Sequence, residues 1–170
     1  QQFKEKTISL EALASIEAQT INELSQKIQG QMGLGEEFDL NEIVDFRNAN
    51  CTGHTQLVYI LANTLGLTAI PASVFEFEDR RLYLGEEHIM ALVKLSDGKV
   101  MQLDPFAFHP ISEPFALDQV YNDKSHYLEI KDHGNPLKIH RKIKLVDRNS
   151  LVADIYNHKG AQESDPEREI

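Results

Sequence analysis

Apolar residues recur at near-helical spacing from Ser9 to Gln29. Leu10, Leu13, Ile16, Ile21, Leu24 and Ile28 form the stripe, and Gly30 supplies a stop. The stretch "QMGLGEEF" that follows has turn residues and no period, which predicts a loop. In "DLNEIVDF", Asp39 and Glu42 stand three residues apart, a capping-box arrangement, so a short helix starts here. Asn50 is placed to cap a third helix whose stripe is Cys51, Thr55, Val58, Leu61, Ala62 and Leu65, and Gly66 sits just past its end.

After Gly66 the period shortens to two. "TAIPASVFEFED" predicts a strand in which Phe75 and Phe77 alternate with Glu76 and Glu78. "HIMALVKL" and "KVMQLDPF" flank "SDG", a hairpin signal. "HYLEIKD" and "LKIHRKIKLV" predict two more strands, "NSLVADIYNHKGAQ" a last helix, and "ESDPEREI" a polar tail. Helices come first and strands follow, mostly joined as hairpins. The expected class is α+β with an antiparallel sheet, in a single domain over 1–170 with a core at about 38–146 and a tail at about 161–170.

Charge narrows the partners. The chain carries 17 basic and 27 acidic residues, a net charge of −10. Nucleic acid and anionic membranes both need a concentrated positive field, so neither is an expected partner. The one basic cluster, "KIHRKIKLVDR", alternates with apolar residues as the solvated face of a strand does. No apolar run approaches the ~18 residues of a membrane span, and "QQFKEKTISL" has no signal-peptide core. The chain begins at Gln1 without a methionine, so a processed chain or part of a longer protein is expected, and a further module after the C-terminus is compatible with its polar end. A single cysteine excludes an intramolecular disulfide and fits a reducing compartment.

That cysteine, Cys51, falls in the first turn of its predicted helix, where the dipole favours a thiolate. Buried structural cysteines also start helices, so a partner base decides between the two readings. His88 opens one hairpin strand and Asp104 closes the other. Their contact depends on register. A two-residue loop of Asp97 and Gly98 pairs Ser96 with Lys99, sets His88 opposite Ala107 and turns Asp104 to the other face. A three-residue loop of Ser96, Asp97 and Gly98, with Gly98 left-handed in a bulge, pairs Leu95 with Lys99 and sets His88 opposite Phe106. Asp104 then shares a face with His88 as its diagonal neighbour, about 7–8 Å away at the backbone. Glycine in third place favours this second register. It gathers Ile89, Ala91, Val93, Met101 and Leu103 on one apolar face. His88, Met90, Leu92, Gln102 and Asp104 share the other, which is expected to turn toward the Cys51 helix.

On these residues the sequence resembles the transglutaminase-like superfamily of papain-fold thiol enzymes. The matching pieces are "NCTGHTQLVYILANTLGLTAIPASV" and "HIMALVKLSDGKVMQLDPF", in the chain order Cys51, His88, Asp104, over about a third of the chain. The resemblance implies a papain-like core with the Cys51 helix packed on the sheet. It also implies acyl transfer from an amide of a protein or peptide substrate, without cofactor or metal. Cys51 would be the nucleophile, His88 the base and Asp104 its orienter, with the Cys51 backbone N–H as one oxyanion donor. Asn48, Asn50 and Gln102 are candidates for a second oxyanion donor or for supporting roles. Water as acceptor gives hydrolysis and a lysine amine gives crosslinking. Many members carry aromatic residues where this chain has Thr52, Met90 and Met101, and the chain has no tryptophan. The triad matches the pattern, while an aromatic-walled tunnel and a Trp-based oxyanion donor have no matching residues at these positions.

The remaining histidines have plainer expectations. A Cys51/His54 pair could hold a metal, but no further ligands have suitable spacing, so His54 is expected at the surface or supporting the site. His109, His126, His133, His140 and His158 are expected to be solvated, and Tyr59 and Phe106 to belong to the core or the site wall. A non-catalytic scaffold that keeps this fold and binds protein is the alternative to an enzyme.

Overall fold

In the computed structural model, which describes residues 8–77, 80–81, 88–105, 111–135 and 137–163, Ser9 accepts the Ala12 amide and opens α1 (Leu10–Gln31). The helix runs through Gly30 rather than stopping before it. Two-residue strands β1 (Gly33–Leu34) and β2 (Asn48–Ala49) pair in parallel. Between them lies α2 (Leu40–Phe46), where the Asp39 carboxylate accepts the Asn41 amide. Asn50 caps α3 (Cys51–Thr64) by accepting the Gly53 N–H at 2.9 Å, and Gly66 takes φ +81° after its end, a conformation that suits glycine.

The strands are β3 (Thr68–Phe77), β4 (Arg80–Arg81), β5 (His88–Lys94), β6 (Val100–Leu103), β7 (Tyr121–Asp123), β8 (Leu128–Ile130) and β9 (Lys142–Leu145). A short α4 (Leu117–Val120) precedes β7, and α5 (Arg148–Glu163) follows β9. The sheet order is β6-β5-β3-β9-β8-β7 with β4 added to β3, and every neighbouring pair is antiparallel. The class is α+β. Phe106, His109 and residues 164–170 of the expected tail lie outside the described residues, as does the side chain of His158.

The β5–β6 hairpin takes the three-residue loop. Leu95 N–H bonds Lys99 O at 2.8 Å, Gly98 has φ +86°, and Ala91 pairs with Leu103 and Lys94 with Val100. Both faces of this hairpin are buried. Against one face, Val58 and Ala62 of α3 and Ala14, Ile21 and Ile28 of α1 pack on Ala69, Ala91, Val93, Met101 and Leu103. Met90, Leu92 and Val100 join Ala72, Val74, Phe115, Tyr121, Ile139 and Ile143 on the other face. This corrects the expectation for α3. The helix covers the face of Ala91 and Val93, where Val58 and Ala62 pack, and it meets the His88 face only where the strands end.

Half of the α1 stripe stays outside. Leu10, Leu13 and Ile16 are exposed, while Ile21 and Ile28 are buried. The exposed half is tied down by Glu17, whose carboxylate accepts the Ser96 backbone N–H and hydroxyl, both at 2.6 Å.

Candidate active site

The first two turns of α3 are fixed by polar bonds. Asn50 N–H donates to Glu37 O at 2.8 Å, and Gly35 N–H to Ala49 O at 3.1 Å, so the loop after β1 wraps the helix start. His54 Nε2 lies 3.3 Å from Gly33 O, Gln56 Nε2 donates to Phe38 O at 2.7 Å, and Thr55 Oγ1 donates to Ile89 O at 3.2 Å. Gly53 admits this wrapping, since a Cβ there would stand 2.7 Å from Glu37 O and 3.0 Å from the Ala49 Cβ. The Thr55 bond draws the start of β5 to the helix and brings His88 beside Cys51.

A chain of hydrogen bonds runs from the thiol inward. The Cys51 thiol bonds the His88 ring. His88 Nε2 donates to Asp104 Oδ2 at 2.6 Å, which leaves Nδ1 for the sulfur. Asp104 follows the last residue of β6 and is fully buried. The same Oδ2 accepts a second bond at 2.5 Å from Nε2 of His140, also fully buried. The two rings meet edge to face, with centroids 5.9 Å apart at 84°.

The charges follow from this chain. Burial pushes the Cys51 thiol up, but the hydrogen bond and charge of His88, with bonds from the Ile89 backbone and Thr52, outweigh it and hold the thiol below its ordinary value. Burial pushes His88 down, while bonds to Asp104 and Cys51 raise it to about 9. For Asp104, burial acts upward, and the bonds from His140 and His88 prevail and keep the carboxyl well below the usual range. These shifts favour a thiolate on Cys51 beside an imidazolium on His88 and a carboxylate on Asp104. The first turn of α3 carries no acidic residue to oppose the thiolate.

The ligand atoms of His88, Asp104 and His140 all lie within 4.8 Å of one another, which raises the question of a metal. Two donors at ~2.0–2.1 Å around a tetrahedral zinc stand about 3.3 Å apart. The nitrogen–oxygen separations here are 2.6 and 2.5 Å. Protons fit between these atoms; a cation at its usual bond lengths requires them to move apart.

Cys51, His88 and Asp104 thus converge from α3, β5 and the end of β6. Gln102 is buried, and its side-chain oxygen accepts the His140 backbone N–H at 3.2 Å, so it supports the site from beneath rather than donating to a substrate. Asn50 is committed elsewhere: its oxygen caps Gly53 and its nitrogen donates to Glu36 O at 3.4 Å. The Asn48 side chain packs over Gly33 and Gly35. His54 is buried, not at the surface, with burial lowering its pKa against the Gly33 bond and the charge of Asp104.

His140 is the site residue that the sequence pattern misplaces. Strict alternation puts it with Lys142 and Lys144, yet β9 begins only at Lys142, and Lys138 has φ 51°. The chain before β9 is irregular, so Ile139 and His140 are both buried. No local pattern marks this turn.

Comparison with protein-family models, curated proteins and solved structures finds no match. The functional reading therefore rests on the site itself.

Proposed function

We propose that this chain is a thiol-dependent acyl-transfer enzyme of the transglutaminase-like, papain-fold kind, acting on an amide of a protein or peptide. The observation that carries the reading is the unbroken chain from the Cys51 thiol through His88 to Asp104, with the sulfur in the first turn of α3. Such a set activates sulfur without a cofactor.

The chemistry follows from the charges. Cys51 thiolate attacks the carbonyl carbon and forms a C–S bond while the carbonyl π pair moves to oxygen. The Cys51 backbone N–H, at the positive end of the helix, stabilises that oxyanion; one such donor is worth roughly 3–4 kcal/mol. His88, already protonated, gives its Nδ1 proton to the departing amine as the C–N bond breaks. Neutral His88 then takes a proton from water, or from an acceptor amine, as that nucleophile displaces the Cys51 thiolate and the C–S bond breaks. Asp104 holds the ring through Nε2 in both steps, and its negative charge offsets the imidazolium. Hydrolysis and transfer share the same acyl-enzyme and part only at the acceptor.

An activated ester tests this. With p-nitrophenyl acetate, a stoichiometric burst of nitrophenol and an acetyl adduct on the Cys51 peptide are expected, and Cys51→Ala abolishes both. A folded protein that gives no adduct at Cys51 overturns the proposal in favour of a non-catalytic scaffold.

A further inference from the structure

His140 belongs to neither the sequence pattern nor the acyl-transfer steps, yet it occupies the inner end of the site. Its side chain is fully buried, and its Nε2 donates to the Asp104 oxygen that also receives His88. Its backbone is gripped on both sides. Gln102 Oε1 accepts its N–H at 3.2 Å, and the Tyr121 hydroxyl donates to its C=O at 2.5 Å. Gln102 is held in turn, since its backbone N–H donates to Ser112 Oγ at 2.8 Å and its C=O accepts the Ser112 N–H at 3.0 Å. Gln102 lies in β6 two residues before Asp104, which directly follows the strand. The segment that delivers His140 is therefore registered to the strand that delivers Asp104.

A buried carboxylate with one hydrogen-bond donor can rotate about its terminal bond and present either oxygen. A second donor on the same oxygen removes that freedom. His88 already supplies a cation beside Asp104, and what the second bond adds is a fixed direction at the shared oxygen. We propose that His140 is a positioning residue of the thiol site: it pins Oδ2 of Asp104 so that the carboxylate keeps His88 turned toward Cys51. This inference rests on the acyl-transfer reading above and extends it to a fourth residue. Among the described residues, the titratable groups facing this chain are His88 and His140 on Asp104, Cys51 beyond His88, His54 through its charge interaction with Asp104, and Tyr121 at the His140 carbonyl.

The test is the pH profile of Cys51 alkylation by iodoacetamide in the full chain, compared among wild type, His140→Leu and His140→Gln, with circular dichroism to verify folding. Leucine fills comparable space without an N–H. Its thiolate limb is expected to move up by about one unit toward the free-thiol value of ~8.5, slowing alkylation near neutrality about tenfold. Glutamine places an amide N–H where Nε2 was, and stays within about threefold of wild type. Should His140→Leu not fold, His140→Asn replaces it, because its shorter amide stops short of Oδ2 and predicts the same upward move. A folded leucine or asparagine variant with an unchanged limb overturns the inference, since His140 then only fills space. A downward move also overturns it, because His140 then merely draws charge from Asp104. A wild-type limb already at the free-thiol value overturns the acyl-transfer reading itself, and this inference with it.

Discussion

The two ends of α3 are buried by different means. At the C-terminal end, Val58 and Ala62 are covered by aliphatic neighbours from α1, β5 and β6. At the N-terminal end, Thr52, His54, Thr55 and Gln56 are all buried, and the last three reach backbone oxygens of β1, β5 and the loop before α2. The aliphatic end gains from removing apolar surface from water, at roughly 25 cal/mol per Å². The polar end gains little net, because each bond replaces one to water at a net of ~0.5–1.5 kcal/mol, and each costs more if left unmade. What the polar end supplies is direction. Non-directional contacts hold the helix on the sheet, and directional ones set where its first turn lies against His88.

That contrast can be broken in order of expected effect. Asp104→Ala leaves the buried His140 and the part-buried His88 without their acceptor and is expected to cost about 3–5 kcal/mol near neutral pH, as measured by urea unfolding. The sign with pH is definite. Because folding depresses the Asp104 pKa, its contribution is present above about pH 4 and is lost as pH falls through the folded value, so the gap between wild type and variant narrows in acid. A gap that stays constant down to about pH 3 contradicts the pairing.

Val58→Ala acts at the other end. It is expected to cost about 2 kcal/mol by the same measurement while leaving the pH profile of Cys51 alkylation where it was. A shifted profile would show that aliphatic packing also aims the thiol, and would erase the contrast.

Asn50→Ala has the smallest effect. Loss of the Gly53 cap is expected to cost about 1 kcal/mol, or roughly 2–4 °C in melting temperature, and to raise the thiolate limb slightly by fraying the first turn. An unchanged melting temperature contradicts the capping role.

Much of this arrangement is legible in the residues where local chemistry decides. Asp39 and Asn50 cap their helices, Gly66 and Gly98 take positive φ, and the "SDG" loop sets the register that puts His88 and Asp104 on one face. Each depends on a few neighbouring residues with a strict backbone requirement. The face that α3 covers was not legible, because β5 and β6 are buried on both sides and both faces read as apolar. The β1–β2 pair escaped for another reason: it joins Gly33 and Leu34 to Asn48 and Ala49 by backbone bonds alone. His140 escaped because a left-handed residue, Lys138, precedes it and breaks the alternation. Long-range backbone pairing and irregular turns leave no period to count.

The most direct measurement is the rate at which iodoacetamide labels Cys51 in the wild-type protein as pH is raised. The charges along the Cys51–His88–Asp104 chain predict a limb below the free-thiol value of ~8.5, with the thiolate persisting beside protonated His88 up to about pH 9. Labelling that rises only at or above ~8.5, or a folded protein whose thiol does not react, contradicts the account.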